Sequence, residues 1–188
     1  MKLNLGCGMD TRQGWINVDF MPGPGIDVVA DLTSPPLPFG DETVDEFLLS
    51  HVLEHIPDTL SLMADLYRIG KPGATVTARV PYGSSDDAWE DQTHVRAYFL
   101  QSWGYFSQPY HWRSLGYGYK ADWQPETVTL FVADSFARLP LETLNDVVSH
   151  QRNIVREMVC VLRKVSPART AKRELQILPS IGVKACGK

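Results

Sequence analysis

Along the first half of this chain, short apolar runs alternate with stretches of helical spacing. Strands joined by crossover helices in a parallel sheet leave that pattern. Lys2–Leu5 and Trp15–Asp19 read as the first two strands, Asp27–Ala30 as a short third and Val44–Ser50 as a fourth. About nine residues separate the first two strands, too few for a full crossover helix. That connection is therefore expected to be an abbreviated helix or a loop. The run from Ser34 to Gly40 carries Pro35, Pro36 and Pro38, which exclude a helix there. Asp58 is placed to cap a helix on which Leu60, Met63, Ala64 and Tyr67 share one face. Gly70-Lys71-Pro72-Gly73 stops that helix, and Ala74–Val80 alternates as a fifth strand.

The second half reads differently. From Tyr82 to about Ala121 the chain is rich in aromatic residues, Gly, Ser and Asp, with little periodicity, as expected of a lid or binding insertion. Glu126–Ala133 reads as a later strand. Leu144, Val147, Val148, Val155, Met158, Val159 and Leu162 then fit one long amphipathic helix over 141–165, ended by Pro167. Its apolar face is broad enough to predict self-association or docking on a protein partner. The domain reading is a unit over 1–137 with the insertion at about 82–121, followed over 138–188 by the helix and a basic tail.

A chain of 188 residues is long enough for one domain with a sizeable core. It has no apolar run of membrane-spanning length, and Met1 leads almost directly into the first strand, so no signal peptide and a cytoplasmic location are expected. Cys7, Cys160 and Cys186 are scattered without zinc-site spacing, which suits a reducing compartment. The net charge of −4 hides an asymmetry: −11 up to residue 150 and +7 from 151 onward. Such a tail can bind nucleic acid, an acidic partner or a membrane surface, or lie on its own acidic domain. It has no aromatic residue on which a base would stack.

The chemistry concentrates at the predicted strand ends. The first strand runs into Gly6-Cys7-Gly8, and the second ends at Asp19. Glycines at a strand end let the backbone approach a ligand closely, and an acid at the next strand end can accept from two ribose hydroxyls. A dinucleotide fold wants a third small residue where Thr11 stands and an acid later than Asp19. The spacing fits instead the looser glycine loop that holds S-adenosylmethionine. His51 and His55, four apart, have the separation of a helical zinc pair. His51 follows a strand directly and Pro57 follows closely, so no metal is expected there.

Taken together, these residues resemble the class I S-adenosylmethionine-dependent methyltransferases, most closely the small bacterial and phage type 11 group. The resemblance covers about residues 2–96. It is carried by Leu3-Asn4-Leu5-Gly6-Cys7-Gly8, by Gly14-Trp15-Ile16-Asn17-Val18-Asp19 and by Asp27-Val28-Val29-Ala30-Asp31-Leu32. Leu37-Pro38-Phe39, Val44-Asp45, His51-Val52-Leu53-Glu54-His55 and Gly70-Lys71-Pro72-Gly73 complete it. It implies a single Rossmann-like α/β domain around a mainly parallel sheet. It also implies a cofactor site made by Asn4, Gly6, Cys7, Gly8, Asp19, Phe20, Asp31, Leu32, Ser50 and His51. Asp19 would hold the ribose, Asp31 and the Leu32 amide the adenine, and Ser50 and His51 would lie beside the sulfonium.

Asp91-Gln92-Thr93-His94-Val95-Arg96 is similar to an active-site segment of that group. It makes His94 a candidate base, since imidazole titrates near neutrality. Arg96 becomes a candidate anion binder and His55 a third catalytic candidate; the alternative is that His94 and Arg96 brace the insertion. The resemblance implies, as the first reading, a small-molecule or glycan acceptor methylated on a hydroxyl or carboxylate, and the insertion's aromatic rings would suit stacking on a sugar. A nucleic-acid methyltransferase is the enzymatic alternative. A non-catalytic assembly module with a vestigial cofactor pocket is the other.

Overall fold

In a computed structural model, which describes residues 1–113 and 116–186, the chain builds one eight-stranded sheet. The strands are β1 (Lys2–Leu5), β2 (Ile16–Asp19), β3 (Val28–Val29), β4 (Val44–Ser50), β5 (Gly70–Pro81), β6 (Trp123–Val132), β7 (Val155–Lys164) and β8 (Ser180–Ala185). Their order across the sheet is β3-β2-β1-β4-β5-β7-β6-β8. β1 to β5 run parallel, β7 is antiparallel to both β5 and β6, and β8 is parallel to β6. Three helices accompany them: α1 (Thr59–Ile69), the single turn α2 (Asp87–Glu90) and α3 (Leu141–His150).

The two faces of the sheet differ in chemistry. In register, Leu5, Leu49, Ala78, Cys160 and Val128 form a row across five strands, and each is fully buried. The adjacent row, on the opposite face, is Asn4, Leu48, Thr77, Val161 and Thr127. α1 packs the apolar face through Leu62, Met63, Leu66 and Ile69, and the Asp58 side chain accepts from the Ser61 amide at 3.0 Å, as expected of its cap. Trp123 of β6 reaches the same layer, donating Nε1–H to the Met63 carbonyl at 2.9 Å and meeting Phe47 and Tyr67 edge-on. No helix joins β1 to β2. Asn4 instead donates to the Asp10 carbonyl at 2.7 Å and to Asn17 Oδ1 at 3.0 Å, and Asn17 Oδ1 accepts from the Arg12 amide at 2.8 Å. Two buried amide side chains thus hold the loop that replaces the crossover helix.

The second half corrects the sequence reading. The expected helix over 141–165 is helix α3 to His150, followed by strand β7. Val155, Met158, Cys160 and Leu162 satisfy helical spacing by coincidence, but they lie on a strand whose even-numbered residues, from Met158 onward, are the buried ones. The chain turns between the two at Asn153, with φ +60°. Because β7 lies between β5 and β6 and β8 borders β6, the stretch after 137 contributes two strands to the sheet and is not a separate helix and tail. The continuous helical surface predicted to drive self-association or partner docking is therefore absent. The aromatic insertion is divided in use: Tyr98, Trp103, Phe106 and Tyr119 are core, whereas Trp89, Phe99, Tyr105 and Tyr117 are exposed. Among the described residues no helix is long and apolar enough to cross a membrane.

Candidate active site

The carboxyl ends of β1, β2 and β4 meet around a cleft of about 490 Å³, lined among others by Gly6, Asp19, Asp31, Leu32, His51 and His55. Gly6 takes φ +63°, and a Cβ there would stand 2.7 Å from Val52 Cγ2, so both conformation and contact demand glycine. Gly8 takes φ +50° beside open space. The turn closes onto the end of β2: the Gly8 amide donates to Asp19 Oδ2 at 2.8 Å, and the Cys7 amide to the Val18 carbonyl at 3.1 Å. Asp19 Oδ1 accepts from the Met21 amide at 3.2 Å. Each carboxylate oxygen retains acceptor capacity, which two ribose hydroxyls would use.

Asp31 forms the second polar corner. Its Oδ1 accepts the Thr33 amide at 2.8 Å and the Thr33 hydroxyl at 2.7 Å, and its Oδ2 accepts the Ser34 hydroxyl at 3.1 Å. These bonds, the Thr33 amide first, hold its carboxyl below the ordinary aspartate value. His51 follows β4 directly with φ +55°, a strained value for a residue with a side chain. Its Nδ1 lies 3.3 Å from Glu54 Oε1 and its Nε2 3.4 Å from Glu157 Oε2. Glu54 is the main cause that raises the imidazole above its ordinary value, and burial opposes it.

Of the residues expected at the cofactor, the cleft lining takes in Gly6, Asp19, Phe20, Asp31, Leu32 and His51. Asn4, Cys7, Gly8 and Ser50 stand outside that lining. Asn4 holds the β1–β2 loop, as described above. Cys7 is a buried thiol, raised in pKa first by desolvation and then by Asp19. With His55, the lining also holds Val52 and Thr93, which stand inside the quoted motifs, and Thr33 and Ile56, which only neighbour them.

His55 lines the cleft, and His94 meets it edge-on with ring centroids 4.7 Å apart. Arg96 lies beyond this pair, in a second groove of about 450 Å³ that includes Asp58, Phe99, Tyr105 and Tyr117. Its Nη2 donates to the Pro57 carbonyl at 3.1 Å. Both hollows take residues from the segment after β4 and from the segment after α2.

Glycine-bounded backbone, a buried carboxylate at the end of β2, and the apolar Leu32 and Ile56 beside Asp31 suit an adenosine carrying a cationic sulfur centre. In sequence, residues 4–78 match the family model described as a methyltransferase domain. No curated protein matches the chain. Among solved structures, an S-adenosylmethionine-dependent methyltransferase from Archaeoglobus fulgidus superposes with TM-score 0.61 at 14% identity, covering 87% of this chain and 85% of that one. One from Mesorhizobium loti gives 0.51 at 12% identity, over 87% and 90%. A Haloferax volcanii methyltransferase, solved in complex with the activator Trm112, gives 0.50 at 14%, over 87% and 82%. The methyltransferase-domain match over residues 4–78 and the shared fold support methyl transfer from S-adenosylmethionine as the activity of this chain. Its cofactor is S-adenosylmethionine.

Proposed function

We propose that this enzyme methylates a hydroxyl or carboxylate oxygen of a small-molecule or glycan acceptor bound in the second groove. The observation that carries the reading is the closeness of the two linings along the chain: Ile56 and Thr93 line the cofactor cleft, and Asp58 and Arg96, two and three residues on, line the second groove with Phe99 and Tyr105. Phe99, Tyr105 and Tyr117 are exposed rings suited to stacking on a sugar. Arg96 supplies a fixed cation for an acidic group on the acceptor.

Bound S-adenosylmethionine brings a methyl group on an activated sulfonium, so the protein's share is alignment and proton removal. Asp19 anchors the ribose, and Asp31 with Leu32 fixes the adenine end. His94 lies 3.2 Å through Nδ1 from the Ala88 carbonyl, which orients the ring and leaves Nε2 to take a proton from an acceptor hydroxyl.

The basic C-terminal residues speak against a nucleic-acid acceptor. Arg152, Arg156, Arg163, Lys164 and Arg169 pair with Asp86, Asp87, Glu126, Glu42 and Asp122, so much of the positive charge is neutralised within the molecule. The test is release of S-adenosylhomocysteine by the full chain against a panel of glycan, small-molecule and nucleic-acid acceptors. Acceptor-dependent release that falls in Arg96→Ala through KM, with cofactor affinity unchanged by calorimetry, is the expected result. Release with nucleic acid alone overturns it.

A further inference from the structure

We propose that Glu54, His55 and His94 form a binding site for a divalent first-row transition-metal ion, of the zinc or cobalt type, at the edge of the cofactor cleft. The three residues come from two segments clamped together. The Glu54 carbonyl accepts the amides of Val95 at 2.9 Å and Arg96 at 3.2 Å, which brings His94 onto the turn Leu53–His55. One donor atom from each of the three residues lies within 4.8 Å of the others. Two imidazoles and one carboxylate are a recurring donor set for such ions and leave a further coordination position open.

Two independent observations point to a ligand. The first is Glu54 itself. It is 1% exposed, yet neither carboxyl oxygen has a hydrogen-bond partner. His51 Nδ1 stands 3.3 Å from Oε1, a charge contact without hydrogen-bond geometry, and Oε2 has no such neighbour. Buried carboxyl groups are ordinarily satisfied by donors, pairs or metals.

The second observation is the state of the imidazoles. The Thr93 hydroxyl donates to Asp91 Oδ1 at 2.6 Å, since the carboxylate can only accept. The Thr93 oxygen is therefore the acceptor in its 3.0 Å contact with His55 Nδ1, so His55 carries its proton on Nδ1. The Ala88 carbonyl, which can only accept, lies 3.2 Å from His94 Nδ1 and fixes the same tautomer there. Both rings thus keep a lone pair on Nε2 and donate Nδ1–H to oxygen, as metal-ligating histidines do. Donors about 3.3 Å apart suit a tetrahedral ion with bonds near 2.0–2.1 Å, so closure asks for side-chain shifts of about 1 Å. Asp91 Oδ2, 3.9 Å from His94 Nε2, adds negative potential at the rim.

An ion here would occupy the His94 nitrogen otherwise assigned as base and would lower the pKa of a coordinated acceptor oxygen instead. The site itself does not depend on the acceptor's identity. The experiment is titration of cobalt(II) into the chelator-treated full chain, read by visible ligand-field bands and by calorimetry. One saturable equivalent with imidazole and carboxylate character is expected, with no thiolate charge-transfer band from Cys7, Cys160 or Cys186. His94→Ala and Glu54→Gln should each weaken binding at least tenfold, and Thr93→Val, which loosens His55, by about tenfold. His51→Ala should leave it intact. Circular dichroism verifies that each variant is folded, and His94→Gln replaces His94→Ala if that variant is not. Absence of saturable binding, or binding insensitive to His94, overturns the proposal. Loss in His51→Ala with retention in His94→Ala also overturns it, because the ion would then sit on His51. Calorimetry of S-adenosylmethionine on the same metal-free protein keeps the methyltransferase reading separate: cofactor binding without cobalt binding refutes the site alone.

Discussion

Two of the buried carboxyl groups of this molecule stand in opposite circumstances. Asp122, fully buried under the C-terminal half, is saturated: it accepts from the Arg169 amide, Nε and Nη2 at 2.9, 2.7 and 2.9 Å, from the Gln108 amide at 3.2 Å and from Ser107 Oγ at 3.4 Å. Glu54, nearly as buried beside the cofactor cleft, has neither oxygen satisfied. The first carboxylate ties the chain after β7 to the start of β6 and to the end of the aromatic insertion. The second meets only the His51 ring, 3.3 Å from Oε1. A buried acid whose donors all come from within the fold has a structural part. One left open at the edge of a cleft is available to something that binds.

The sharpest way to break this contrast is to remove each carboxylate. Asp122→Ala leaves the Arg169 guanidinium without its partner and should lower stability by about 3–5 kcal/mol in urea unfolding; a loss under 1 kcal/mol would mean the network is dispensable. Asp19→Ala tests a third buried acid, placed at the cleft and open to ligand. It should weaken S-adenosylmethionine by roughly 1.5–3 kcal/mol, about one to two decades by calorimetry, and unchanged affinity would reassign the ribose anchor. Glu54→Gln, measured without metal, should alter stability by no more than about 1 kcal/mol, since relief of the carboxyl's unsatisfied oxygens offsets the lost His51 contact. A loss comparable to that of Asp122→Ala would make Glu54 structural too.

The smallest effect concerns His51. Its pKa is raised, so its contact with Glu54 contributes stability fully present below about pH 6.5, and that contribution is lost as pH rises through the raised value. A nitrogen-detected NMR titration of the metal-free protein should place His51 above the ordinary histidine value, and Glu54→Gln should bring it down. An unchanged titration in that variant would assign the shift to Glu157.

What was legible in the sequence follows the same division. The parallel half could be read because its strands end in chemistry: Gly6 and Gly8 need positive φ, Asp19 ends β2, and Asp58 caps α1. β7 was hidden because Val155, Met158, Val159 and Leu162 satisfy helical and strand spacing alike. No glycine or proline marks the break after His150, where Asn153 makes the turn. β8 was missed because Ser180–Ala185 is a mostly exposed edge strand with little apolar signal. The cofactor corner was legible through local motifs. The company of His55 was not, since the spacing of His51 and His55 suggested a pair, whereas His51 faces Glu54 and Glu157, and His55 meets His94 from a distant segment.

The place of β7 also bears on how the nascent chain reaches this fold. On the ribosome, strands β1 to β5 emerge first and can assemble their parallel half, leaving the outer edge of β5 without a neighbour. β6 emerges next, but it has no pairing with β5 in the finished sheet. Both edges wait for Val155–Lys164, which closes them together by pairing with each. During that interval Ala78 and Val80 lack their cross-strand neighbours Cys160 and Met158, so the time between synthesis of β5 and arrival of β7 is when this enzyme is most exposed to misassociation.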